Sequence, residues 1–186
     1  MNIFAIDKDP VVSAQSMCDK HIVKMILEAG QMLSTSHRYL DGELYYEMSK
    51  GARPRKIKRW RLTDEREDIL WKATFLHHPC TVWTFETSEN YSWHQKHAKA
   101  LCEEYTYRYG KRHSAENLID KLEQLPYNIV KGKLTRFAVA MPEEYKVEDA
   151  VESYRNYYNG AKSYFAKWTK RDVPAWYTGV FNNADV

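Results

Sequence analysis

"CDKHIVKMILEAGQMLSTSHR", residues 18–38, is the stretch on which the fold reading turns. Ile22, Ile26, Ala29 and Leu33 recur at steps of three and four, the period of an amphipathic α-helix. Asp19 is a natural N-cap, so the spacing predicts a helix over about 20–39. A second stripe, His21, Lys24, Glu28, Gln31 and Thr35, keeps the same steps and shares a neighbouring face. An ionisable stripe beside a buried one is what a helix lining a cleft presents. A lysine close to a carboxylate and an imidazole can act as nucleophile or proton carrier, because burial draws both kinds of group toward neutral pKa. A lysine amine can also form a Schiff base at a sugar carbon, as in a bifunctional DNA glycosylase. The plainer account is a Lys24–Glu28 surface ion pair, with Asp19 only a cap.

Outward from this helix the expectation is a mainly α chain: one compact helical domain over residues 1–186 with a short N-terminal strand or arm and a basic loop. "MNIFAID" reads as that arm, and Pro10 opens a short helix through Cys18. Residues 41–63 lack helical periodicity and contain Gly42, Gly51 and Pro54, so they read as a loop or insertion. Further helices are expected within 63–76, from Pro79, over about 89–109 ending at Gly110, and near 115–124. Residues 127–146 look irregular, with a short strand near 136–140. The last helix shows its period from Val147 to Trp168, with a kink at Asn159-Gly160 and an extended tail from Pro174.

Composition narrows the function classes. Hydrophobic residues make up 44% and charged residues 28%, the balance of a globular chain. No apolar run is long enough to span a membrane, and "MNIFAIDKDP" lacks secretory-signal character. The three cysteines, Cys18, Cys80 and Cys102, are odd in number and far apart, which suits a reducing compartment. A cytoplasmic location is expected, the host cytoplasm if the gene is a phage's.

The net charge is only +3, but residues 50–61, "KGARPRKIKRWR", hold seven basic side chains and no acid. The remainder carries 21 basic against 25 acidic residues. So local a patch points to an anionic partner. Lys50, Arg53, Arg55, Lys56, Lys58, Arg59 and Arg61 can contact phosphates, and Trp60 can stack on a base, which makes nucleic acid, DNA ahead of RNA, the expected partner. A solvated loop is the alternative.

A second constellation, "HHPCTVWTFETSENYSWHQKH", places Glu86 among Trp83, Phe85, Tyr91 and Trp93, where desolvation can raise its pKa. Glu86 is therefore a second candidate acid, with Asp19, Gln31, Thr35, His78, Asn90 and Tyr91 as candidate pocket walls. The His and Cys spacings do not form the paired ligand sets of a zinc site, so no metal or other cofactor is expected. Phosphate-cradling glycine loops, dinucleotide fingerprints and the zinc-deaminase signature are all missing, as are helix-turn-helix and zinc-finger patterns.

The blocks "CDKHIVKMILEAGQMLSTSHR", "HHPCTVWTFETSENYSWH", "EEYTYRYGKRH", "FAVAMPEEYK" and "VESYRNYYNGAKSYFAKW" cover most of the chain. In this order they resemble a family of small tailed-bacteriophage proteins. Some members of that family are associated with DNA-base metabolism, meaning pyrimidine hypermodification or glycosylase-like excision. The resemblance implies an enzyme acting on pyrimidine bases or nucleotides of DNA, and carries over no catalytic residue. The basic stretch at 50–61 departs from the pattern. Two other readings remain open: a non-catalytic protein that binds nucleic acid or a host factor, and an enzyme for a small nucleotide metabolite.

Overall fold

The computed structural model describes residues 1–181. In chain order the elements are α1 (Pro10–Ser16), α2 (Asp19–Asp41), β1 (Glu43–Met48), β2 (Lys56–Arg61), α3 (Arg66–Ile69), α4 (Pro79–Glu86), α5 (Ser88–Tyr109), α6 (Glu116–Lys121) and α7 (Ala150–Asn159). Single 3₁₀ turns lie at Glu143–Tyr145 and Ser163–Phe165. The fold is mainly α, as the periodicity predicts. Among the described residues no helix is long and apolar enough to cross a membrane.

The long helix α2 is the spine. Its apolar stripe, Ile22, Met25, Ile26, Ala29, Met32 and Leu33, is buried against α4 and α5. Burying side chains of this kind contributes roughly 1.5–3 kcal/mol each. α5 supplies Tyr91, Trp93, Ala98 and Leu101 to the same core, and α7 supplies Val151, Tyr154 and Tyr158. α5 ends at Gly110, which takes a left-handed conformation (φ 67°) and donates its N–H to Thr106, the stop its sequence predicts.

The N-terminal segment is an arm and joins no sheet. Asn2, Ile3, Phe4, Ala5 and Ile6 are all buried. Asn2 pins the arm: its Oδ1 accepts from Ile3 N (2.8 Å) and from the Tyr154 hydroxyl (2.8 Å), and its Nδ2 donates to Ala140 O (2.7 Å).

Three expectations are corrected by named interactions. Asp19 is the first residue of α2, not its cap; Cys18 holds the cap position, and Asp19 instead accepts from Arg108 Nη1 (2.8 Å) and Thr169 N (2.9 Å). Residues 41–63 are not a loop: β1 and β2 pair antiparallel, with Leu44 opposite Trp60, Tyr46 opposite Lys58 and Met48 opposite Lys56. The helix expected in 63–76 shrinks to the single turn of α3. Arg38 is the cause. Its guanidinium takes the carbonyls of Glu67 (2.8 Å), Leu70 (2.7 Å) and Trp71 (2.7 Å), which a longer helix would need for its own ladder.

The remaining differences are smaller. No strand forms at 136–140. α7 stops at Asn159, where the sequence suggested only a kink, and the apolar residues beyond it dock separately: Trp168 Nε1 donates to Ser16 O (2.8 Å).

Candidate active site

The ionisable stripe of α2 divides into two environments. His21 faces inward. It is buried, its Nδ1 pairs with the Tyr158 hydroxyl, and Phe4 packs over the ring at 4.2 Å between centroids. Burial first, then the charges of Lys162 and Lys24, lower its pKa to about 3, so it stays neutral in the folded chain. Glu28, two turns on, lies at the rim of the core with its side chain 10% exposed.

A carboxyl group so little solvated needs partners, and Glu28 has three. Oε2 accepts the backbone N–H of Asn2 (2.7 Å) and lies 3.6 Å from the α-amino group of Met1. Oε1 lies 3.2 Å from Lys24 Nζ, whose side chain is 66% exposed. The Asn2 anchor sets the register of the arm and thereby the position of the amine. The sequence pointed to Lys24 and Glu28 but gave no sign of the Met1 amine, because the arm reaches α2 only through the tertiary fold.

His78 completes the group. Its ring Nδ1 accepts from Cys80 N (3.2 Å) and so caps α4. Burial and the positive Met1 amine lower its pKa, and Glu28 acts the other way, so all three share one local field. Cys80 is no nucleophile: burial pushes its thiol up to about 11. Further along α2, Gln31 is half-buried, and Thr35 ties the helix to the chain before α4 through Thr74 N (3.0 Å) and Thr74 O (3.1 Å).

Other candidates lie apart. Asp19 belongs to a second charge network, with Arg108, Glu104 and Arg171. Burial acts to raise its pKa, but the bonds from Thr169 and Arg108 outweigh it and hold the carboxyl low. Glu86 is exposed, not desolvated among the aromatics, and accepts from Thr135 Oγ1 (2.9 Å) and Asn90 Nδ2 (3.3 Å). Asn90 is buried and also donates to Trp83 O (2.9 Å), and Tyr91 spans Leu122 O (2.9 Å) and His37 Nε2 (2.8 Å), so both brace the core. A concavity of about 560 Å³ lined by Lys8, Phe137, Arg136 and Asp149 includes none of the candidate residues. Among the described residues no three His, Cys, Asp or Glu side chains converge as metal ligands.

The basic hairpin carries two unlike faces. On one, Arg59 Nε binds Glu47 (2.7 Å), Lys72 approaches the same carboxylate (3.5 Å), and Arg61 covers the Tyr45 ring (4.7 Å). On the other, Leu44, Tyr46 and Met48 stand exposed beside Lys56 and Lys58. Trp60 leans on Tyr39 (5.8 Å). Among the described residues Lys50, Arg53, Arg55, Lys56, Lys58 and Arg61 have no carboxylate within 4 Å; Arg61 lies on the face that carries Glu47, and the other five lie on the turn or on the open face.

Residues 1–117 of the 186 match the family model described as pyrimidine dimer DNA glycosylase. The chain belongs to that family. The matched span contains the arm, α2, the hairpin, α4 and α5, and thus every group around Glu28. α7 and the docked tail lie beyond it, so Tyr154 and Tyr158 hold the arm and α2 from outside the glycosylase-family segment. No curated protein and no solved structure matches the chain.

Proposed function

We propose that this protein is a DNA glycosylase that removes a damaged pyrimidine from duplex DNA, with Glu28 as the proton carrier and an amine beside it as the nucleophile. The observation that carries the reading is one carboxylate flanked by two amines, Met1's at 3.6 Å and Lys24's at 3.2 Å, in a chain of the pyrimidine dimer glycosylase family.

The chemistry follows from these groups. A free amine attacks C1′ of the damaged nucleotide, and the base leaves with the bonding electron pair. Glu28 takes a proton from the amine that has joined C1′ and passes it to the ring oxygen O4′ as the sugar opens, leaving an iminium between amine and C1′. The target has to be displaced from the stack for any of this, because no side chain reaches C1′ inside a paired duplex. A working protein with residues ahead of Met1 would leave Lys24 alone beside Glu28. His21 takes a positioning role, bracing α2 against α7. Lys50, Arg53, Arg55, Lys56 and Lys58 hold phosphates, which gives affinity without sequence choice. The resemblance to phage proteins would put this work in the host cytoplasm.

Borohydride tests the reading directly. It reduces the iminium to a stable secondary amine, so a covalent protein–DNA product is expected on a duplex carrying a pyrimidine dimer. Peptide mapping of that product names the amine: the Met1 peptide or the Lys24 peptide. Product trapped in neither, with dimers left uncut, removes the glycosylase reading. In that case retention of DNA binding would favour a non-catalytic binder.

A further inference from the structure

The proposed function uses the charge of the hairpin and leaves its apolar row unexplained. One face of the hairpin is turned to the body. Arg59 Nη1 donates to Ala73 O (3.3 Å), Arg59 Nε to Glu47 (2.7 Å), and Lys72 Nζ reaches the same carboxylate (3.5 Å). The alternate side chains therefore point away from the body. They are Leu44, Tyr46 and Met48 on β1, with Lys58 opposite Tyr46 and Lys56 opposite Met48 on β2. The three apolar residues are 50%, 49% and 60% exposed, and Lys56 Nζ lies over the Tyr46 ring at 4.3 Å, so ring and cation are presented together. Only at its root does this face touch the helices, where Trp60, opposite Leu44, leans on Tyr39. A row of apolar side chains on an open strand is a liability to the free protein, which makes an external partner its use.

Charge and width say which partner. Lys56 and Lys58 share the open face, Lys50, Arg53 and Arg55 crowd the turn beyond it, and among the described residues none of the five has a carboxylate within 4 Å. A polyanion is their complement. A two-stranded ribbon with its side chains fits the major groove of duplex DNA, about 12 Å wide, and not the minor groove, about 6 Å wide. Successive members of the row are roughly 7 Å apart, which is about two base steps, and a strand of six residues spans about six base pairs. What the floor of the major groove offers an apolar side chain is the C5-methyl group of thymine.

We infer that the hairpin lies in the major groove with its open face inward, setting Leu44, Tyr46 and Met48 on thymine methyl groups and the lysines on the phosphates alongside. This rests on the duplex-DNA part of the glycosylase reading and deepens it. The cations alone give affinity without sequence choice; the apolar row adds a preference for thymine.

The test uses the full chain, a Leu44→Thr, Tyr46→Thr, Met48→Thr triple variant that keeps strand-forming side chains and every cation, and Glu28→Gln, which leaves a bound duplex whole. Dimethyl sulfate methylates guanine N7 in the major groove and adenine N3 in the minor groove. With Glu28→Gln on a duplex carrying a pyrimidine dimer, guanine N7 is expected to be protected over about six base pairs beside the dimer, and adenine N3 there to stay reactive. Replacing two thymines of that stretch by uracil removes only their methyl groups, and wild-type affinity is expected to fall roughly 3- to 15-fold. The triple variant is expected to bind the thymine and uracil duplexes alike, within about twofold, and to keep the wild-type salt dependence. Reactive guanine N7 with protected adenine N3 overturns the inference, as does equal wild-type affinity for the two duplexes. So does wild-type adherence to phosphatidylglycerol vesicles that the triple variant loses while binding both duplexes as the wild type does, since the row then serves a lipid surface. Guanine N7 protection without excision by the wild type upholds the groove contact and overturns the glycosylase reading; excision without that protection does the reverse.

Discussion

Glu28 sits on α2 and the free cations on the hairpin that follows it, and the fold treats them in opposite ways. Glu28 is nearly buried, held by a backbone N–H and flanked by two amines. Lys50, Arg53, Arg55, Lys56 and Lys58 are exposed and face no carboxylate within reach among the described residues. A charge that is desolvated and fixed has a defined geometry, which proton transfer needs. A charge left unpaired in water keeps its capacity to displace counterions from a polyanion. On the proposed function the difference separates chemistry from affinity, and the two should respond separately to mutation.

The largest effect is expected at Glu28. Glu28→Gln keeps the shape and one acceptor but cannot carry the proton. Single-turnover excision should fall by about 10²–10⁴, the usual worth of general acid–base help. DNA binding should stay within about threefold. A parallel loss of both would erase the distinction between the two regions.

Neutralising the five free cations to Gln should do the reverse. With one phosphate contact each, the slope of log affinity against log salt should flatten by about 4.5. Over 50 to 200 mM salt that removes a change of roughly 500-fold in affinity. The excision rate at saturating protein should hardly move. Filter binding across a salt series reads the first quantity and rapid-quench sampling the second.

The joint between the two regions is Arg38, and it sharpens the comparison through stability. It is 3% exposed and donates to Trp60 O (3.0 Å), Glu67 Oε2 (2.6 Å) and three further carbonyls. Arg38→Met leaves those acceptors unpaired and frees the hairpin from α2. A loss of about 3–5 kcal/mol is expected in urea unfolding, the range for breaking a buried charge pair.

The two regions were also unequally legible. The period of Ile22, Ile26, Ala29 and Leu33 is a local signal, repeated over about three turns, and α2 appears where it predicts. The paired spacing of Lys24 and Glu28 came with it, since one helix carries both. The Met1 amine did not, because Asn2, Tyr154 and Ala140 meet only after residues more than a hundred positions apart have packed. The hairpin was missed for another reason. Each strand has only six residues, and the alternating Leu44, Tyr46 and Met48 face water, so the usual link between alternation and burial is inverted. The short α3 was hidden because a distant arginine, not a local breaker, ends it.

The smallest effect concerns the buried side of the comparison and can be read without any substrate. His21 is lowered to about 3 in the folded chain, while an unfolded histidine titrates near 6.5. Between those values the unfolded chain holds a proton that the folded chain refuses, so stability falls as pH drops through that window. Above about 6.5 neither state is protonated and the effect vanishes. The slope from this one residue is about 1.4 kcal/mol per pH unit. His37, lowered to about 4, and His94 and His97, lowered to about 3, act in the same direction, so wild-type stability should fall steeply on acidification. His21→Asn takes up no proton in either state. Urea unfolding at pH 5.5 and 4.5 should therefore show a slope shallower than wild type by about 1.4 kcal/mol per unit. An unchanged slope would mean that His21 is protonated in the folded chain, and its bond to Tyr158 would then have to be redrawn with the imidazolium as donor.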